Sequence, residues 1–265
     1  MAHELHASTS AREPALWPWL GATVIGLLGL AAWIHFSASP PVALQQLGKW
    51  LPTLLLGMGA NIGISVLAMA LGTVVGLLVG ALSLSTLAPV RGATRIYVQV
   101  FRNAPVLVLV YFSTYVFPFE LQLHHWRLPF PDWIKVVLGL ALPASANVAE
   151  IFRGAVQSIP SAQWEAAQSL ALSRRDIFRL VVLPQCVRRM LPPWMNLYAS
   201  ITMATSLASL VGVHDVVDAA QIASNTVSRT DFTVLIYASL LTLFFAYCYP
   251  IARATQALEA RHARH

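Results

Sequence analysis

Charge is what this sequence has least of. Only 17 Lys and Arg and 11 Asp and Glu occur in 265 residues, 11% of the chain, against roughly a quarter in an ordinary soluble domain. The few charges are also clustered, and none falls in 14–48, 50–90, 103–119, 136–149, 190–214 or 232–252. A soluble fold of this length has no means of keeping such stretches from water, so the sequence reads as an integral membrane protein. Lysine occurs only at positions 49 and 135. Neither sits in G-x-x-x-x-G-K-[ST], which excludes a Walker-type ATP site on this chain. Two cysteines, Cys186 and Cys248, are too few for a disulfide framework or a cysteine-rich metal site. No H-E-x-x-H is present, and His124 and His125 beside Trp126 have no third ligand nearby, so no metal site is expected. A net charge of +6 is no sign of nucleic acid, because most of the arginines flank apolar runs, where membrane topology explains them. Glu4 and Glu13 near the start, and the length of the run behind them, argue against a cleavable signal.

What is present is apolar length. A hydrocarbon core of roughly 30 Å needs about 20 apolar residues in a helix. Six stretches meet or approach that requirement, at about 17–38, 54–87, 97–118, 134–153, 193–213 and 233–252. Helices are required because the lipid core offers unpaired backbone groups no water. The second stretch is longer than a bilayer needs and should tilt or project. With the N-terminus inside, 12 Lys and Arg fall on the inner side and 4 on the outer, namely Lys49, Arg127, Lys135 and Arg229. That asymmetry places both termini in the cytoplasm. Glu120, Asp132, Asp215, Asp218 and Asp231 then lie outside, where the first four are read as a solvated rim. Gly72, Gly76 and Gly80 share one face of the second span, a spacing that permits close helix packing within the chain or at a dimer seam.

The cytoplasmic connection 154–192 is too long for a simple link and carries clear signals. Helix formers run from Ala162 to Leu172, with Ser161 as the expected N-cap and Glu165 placed to favour the helix dipole. Ser173 and Asp176 fit a capping box that opens a second short helix, expected to end or kink near Pro184. The 161–172 helix lacks the basic face of a lipid-surface helix. Its small residues (Ala162, Ala166, Ala167, Ser169, Ala171) and single carboxylate suit insertion into a protein groove instead.

These residues resemble a known family. Glu165-Ala166-Ala167, three residues, Ala171, nine residues, Val181-Val182-Leu183-Pro184 is similar to the EAA loop of ABC-importer permeases, E-A-A-x3-G-x9-I-x-L-P, with Ala171 in the place of glycine and Val181 in the place of isoleucine. Ala149-Glu150-Ile151-Phe152-Arg153-Gly154, Phe101-Arg102-Asn103-Ala104-Pro105 and Thr205-Ser206-Leu207-Ala208-Ser209-Leu210 resemble the polar amino acid subfamily, and the likeness covers roughly 54–252. One departure is Met203-Ala204, where many members carry Lys-Asp.

The resemblance implies an all-α integral membrane protein. Five core helices of a type I importer permease (54–252) form half of a translocation pathway, residues 1–50 add a sixth span, and 253–265 form a cytoplasmic tail. It implies that the chain is not an enzyme, binds no cofactor itself, and sits as a multi-pass protein in a bacterial inner membrane. ATP and magnesium would belong to a partner ATPase coupled through Glu165, Ala166, Ala167, Ala171, Leu172 and Ser173. An outer binding protein would deliver a polar amino acid or close analogue, and a second permease, identical or homologous, would complete the pathway. Polar groups in apolar spans are costly and mark function. The pathway candidates are therefore Asn147 and Glu150 on the fourth span, and Thr202, Thr205, Ser206 and Ser209 sharing a face of the fifth. Interhelical hydrogen bonding is the alternative for the hydroxyls, and an ion pair with Arg153 for Glu150. Two other classes compete. A secondary transporter would need carboxylates deep in its spans, and a structural subunit would not need the 154–192 loop.

Overall fold

The computed structural model describes residues 41–123 and 126–262, so the expected span at 17–38 and the His124–His125 pair lie outside the described residues. Helices dominate: α1 (Val42–Ser83), α2 (Ala88–Asn103), α3 (Val106–Val116), α4 (Asp132–Gln157), α5 (Ser161–Ser169), α6 (Leu183–Ala204), α7 (Val216–Val227) and α8 (Thr230–His262). A hairpin of β1 (Glu120–Leu123) and β2 (Trp126–Pro129) joins α3 to α4, with Glu120 opposite Pro129 and Leu123 opposite Trp126. α1, α4 and α8 are each long and apolar enough to cross a membrane. Two bent pairs, α2 with α3 and the stretch Arg174–Val211 with α7, raise the number to at most five when each pair is counted as one span.

The third span is not one straight helix. α2 and α3 meet at 104°, because Pro105 has no N–H to donate and forces Ala104 out of the helical region, to φ −72° and ψ 136°. The stretch 88–96, expected as a polar connection, is the first half of α2. The connection 214–232 likewise contains α7, capped by Asp215, whose side chain accepts from the Asp218 backbone N–H.

α4 is the central element. The glycine face of α1 lies on it, and a Cβ on Gly76 would come within 2.6 Å of Ser145 O and of Val148 Cβ. At Gly72 it would meet Ala144 Cβ at 2.7 Å, and at Gly80 Phe152 Cδ1 at 2.9 Å. The three glycines therefore serve packing inside this chain, the only way two backbones approach so closely in lipid. One buried cluster joins α1, α3, α4 and α6 around Ile64, Met69, Val110, Leu140 and Ile201, and a second joins α1, α7 and α8 around Leu54, Val216, Phe232 and Ile236.

Two charges counted on the outer side are buried, and one of them, Asp215, was expected on the solvated rim. Lys135 is fully enclosed, its Nζ 3.0 Å from Asp132 Oδ1 and 4.0 Å above the Phe119 ring. Asp215 is 1% exposed, held by hydrogen bonds that the linear sequence does not reveal.

Candidate functional site

Two regions carry the functional candidates, one on the connection 154–192 and one between the helices. On the connection, α5 lies across the end of the bundle rather than continuing α4. Trp164 and Ala167 face inward onto a cluster of Phe152, Ala155, Val156, Ile159, Ile177, Val182 and Cys186. Gln185 Nε2 donates to Gln163 Oε1 at 2.6 Å, and Arg189 Nη1 donates to Ser158 O at 2.7 Å, tying both flanks of the helix to the polypeptide that follows. The outer face presents Ala162, Glu165, Ala166 and Ser169, all exposed, and ends at Leu170, which is 75% exposed. The Glu165 carboxylate makes no ion pair or hydrogen bond among the described residues.

The helix starts one residue earlier than its expected cap. Pro160 occupies the N-cap position without a side-chain bond, and Ser161 is the first helical residue. It ends at Ser169 rather than Leu172, in a Schellman turn. The Leu172 N–H donates to Ala167 O and the Ala171 N–H to Gln168 O, with Ala171 left-handed at φ 56°. Residue 171 is thus the position where glycine is favoured on conformational grounds alone. Ser173 does cap the next turn: it accepts from the Asp176 N–H at 3.3 Å and donates to Asp176 Oδ2 at 2.5 Å. Beyond Asp176 a π-helical stretch, Ile177–Val182, runs directly into α6, so the helical pattern changes from π to α immediately before Pro184.

The sequence-predicted coupling residues therefore divide. Glu165 and Ala166 face outward. Ala167 is 4% exposed and Leu172 packs on the same inner cluster, so their size serves attachment of the helix to this chain and not approach by a partner. Ala171 and Ser173 set the turn.

The pathway candidates divide as well. Asn147 and Glu150 line a cavity of about 510 Å³ between α2, α4 and the end of α1. Glu150 accepts two bonds from Arg153, at 3.0 and 2.7 Å, and lies 3.5 Å from Arg102. Asn147 Nδ2 donates to Pro143 O. None of the four hydroxyl residues lines this cavity. The helix tightens to 3₁₀ over Thr205–Val211, and at three residues per turn side chains three apart eclipse. Thr202 and Thr205 consequently turn inward together, while Ser206 and Ser209 follow Met203 onto another face, so the four do not share one surface.

Thr205 belongs to a buried junction the sequence reading missed. Asn61 Nδ2 donates to Thr205 Oγ1 and to Asp215 Oδ2, both at 3.0 Å, and Asn61 Oδ1 accepts the Val216 N–H at 3.0 Å. Asn61 ties α1 to the break between the 3₁₀ segment and α7. A signal was available, since Asn61 is the only Asn or Gln in the uncharged run 50–90.

Comparison with known proteins places this geometry. The profile of the family described as "binding-protein-dependent transport system inner membrane component" matches residues 72–261. The chain is 30% identical over 214 residues to a probable amino-acid ABC transporter permease protein, YckA, of Bacillus subtilis, covering 81% of this chain and 91% of that one. It is 30% identical over 209 residues to the octopine transport system permease protein OccM of Rhizobium radiobacter, covering 78% and 84%. Among solved structures, that of an amino acid ABC transporter superposes with a TM-score of 0.70 at 24% identity, over 81% of this chain and 96% of that one. The methionine ABC transporter MetNI, in an inward-facing conformation, gives 0.57 at 16% identity over 78% and 97%.

Proposed function

The chain belongs to the inner membrane components of binding-protein-dependent transport systems, and on that premise we propose that it carries a polar amino acid or a close analogue inward, driven by a separate ATPase that engages α5. It is a multi-pass membrane protein and the permease subunit of an ABC importer, not an enzyme. The substrate class is supported by the relatives named above for amino-acid and octopine transport.

In this reading both termini are cytoplasmic, as the arginine asymmetry favours. Residues 1–50 add a span beside the 54–252 core, and 253–265 form the tail. A binding protein meets the outer face, a second permease chain completes the pathway, and ATP and magnesium sit on the partner ATPase. Asn147 and Glu150 contribute to the inner part of the route. Thr205 is reassigned to the junction that holds the fifth span against α1, and the buried Thr202 hydroxyl donates within its own helix to Tyr198 O.

The observation that carries the coupling role is the two-sided build of α5. One face is fixed to this chain by Trp164, Ala167 and Leu172, while the opposite face offers small side chains and one carboxylate without a partner among the described residues. A helix fixed on one side and free on the other transmits displacement to the bundle. Energy passes only if the ATPase interacts with it differently in two states. The test is uptake of radiolabelled polar amino acids into vesicles containing this chain, its ATPase and its binding protein. Accumulation that requires all three and ATP is expected. Accumulation driven by an ion gradient without the ATPase would overturn the proposal.

A further inference from the structure

α2 carries Arg91, Arg95 and Arg102 four and seven residues apart, so with Val98 and Gln99 they form a single stripe. That stripe closes against α4 around the cavity of about 510 Å³ that also holds Glu150 and Arg153. Four guanidinium groups and one carboxylate line the space. The carboxylate is already taken, bonded twice by Arg153 and 3.5 Å from Arg102. Arg91 donates only to the uncharged carbonyls of Ser85 and Thr86, at 3.0 and 2.9 Å. Arg95 makes no ion pair or hydrogen bond among the described residues.

The lining therefore carries three net positive charges, and Arg91 and Arg95 face no protein anion among the described residues, while their side chains stay open to solvent at the rim of the recess. Positive-inside topology accounts for arginines near an inner boundary, but it does not require four of them to converge on one cavity. A concave, like-charged lining focuses potential and concentrates counter-charge, and guanidinium forks match the oxygens of carboxylate and phosphate groups. We propose that this cavity is an oxyanion-binding site, in which Arg95, with Arg91 and Arg102, holds a phosphate or carboxylate group. Two sources carry that chemistry. Basic recesses between membrane helices on the cytoplasmic side take anionic lipid headgroups, and a soluble carboxylate or phosphate reaches the same donors from water. Which leaflet supplies a lipid rests on the orientation proposed above; binding itself does not, and it is measured in detergent, where sidedness is lost.

The experiment is thermal unfolding of the purified full-length chain in neutral detergent. It is titrated separately with phosphatidylglycerol, phosphatidylcholine, inorganic phosphate and glutamate. A saturable rise in the midpoint with phosphatidylglycerol, absent with phosphatidylcholine and the soluble anions, identifies a headgroup; a rise with phosphate or glutamate identifies a soluble ligand. In either case Arg95→Gln weakens the apparent affinity about tenfold or more, and Arg95→Lys keeps part of it. Arg188→Gln, outside the cavity, binds as the parent does. Arg91→Gln provides the same reading if Arg95→Gln does not fold. No shift with any anion, or equal weakening by Arg95→Gln and Arg188→Gln, overturns the proposal.

Discussion

Ala171 shows how one backbone angle ties sequence to mechanism. At φ 56° it holds the C′ position of the turn that ends α5, a conformation that costs an L-residue about 1 kcal/mol or somewhat more. Ala171→Gly should therefore stabilise the purified chain by about 1 kcal/mol, read as a higher thermal midpoint, without loss of transport. Ala171→Leu adds bulk at a strained, exposed turn and should reduce assembly with the ATPase, measured by co-purification. At Asn61 the sign is reversed. Asn61→Leu removes two donors and an acceptor from a buried junction, leaving Asp215 Oδ2 without its Asn61 donor and the Val216 N–H without its acceptor, while Asp215 Oδ1 keeps the Asp218 N–H, at a cost of about 1–3 kcal/mol for each atom so left. Chemical denaturation should report a loss of that order, with Asn61→Asp no substitute because it sets a second carboxylate against Asp215. The sequence disclosed the glycine-like position at 171 only through the family pattern. The partners of Asn61 are 144 and 154 residues away, beyond any local rule.

At the level of elements, packing in lipid depends on contact, since apolar surface gains nothing by leaving acyl chains for another helix. α1 and α4 meet where Gly72, Gly76 and Gly80 leave room, and the stripe was legible from its four-residue spacing. Gly76→Val places atoms where Ser145 O and Val148 already lie and should cost about 1–3 kcal/mol or prevent folding. Gly63→Ala, with nothing within 4 Å of the added carbon, should be nearly neutral; unfolding midpoints of the two variants make the comparison. Span existence was readable because long uncharged runs have one physical outcome in a bilayer. Span shape was less so. The break at Ala104–Pro105 was written in a proline inside an apolar run, yet hydropathy alone continues across it. The 3₁₀ tightening over Thr205–Val211 has no comparable local signal, and it is why Thr202 and Thr205 turned inward while Ser206 and Ser209 did not.

In the proposed reading the whole molecule is a lever that receives its push at α5. α4 runs from the β1–β2 hairpin to the connection that holds α5, and α6 leaves that connection to return through the bundle. A push on α5 thus reaches both through the cluster of Phe152, Ile177, Val182 and Cys186. In that reading the push is received by the outward face of Glu165 and Ala166. Glu165→Ala should lower ATP-driven uptake at least about tenfold, the loss expected from removing one charge-assisted contact, while leaving the unfolding midpoint unchanged because the side chain has no partner among the described residues. Uptake against ATP hydrolysis in vesicles separates that uncoupling from simple loss of the complex.

The most direct measurement is a crosslink. Cys186 and Cys248 are replaced by Ala, Glu165→Cys is introduced, and the active importer is treated with a short bifunctional thiol reagent with and without nucleotide. The account predicts a product joining this chain to its ATPase, with a yield that changes on nucleotide binding, and no labelling of position 165 by an impermeant thiol reagent added outside intact cells. Labelling from outside, or a fully active transporter in which position 165 never crosslinks to the ATPase, would contradict it.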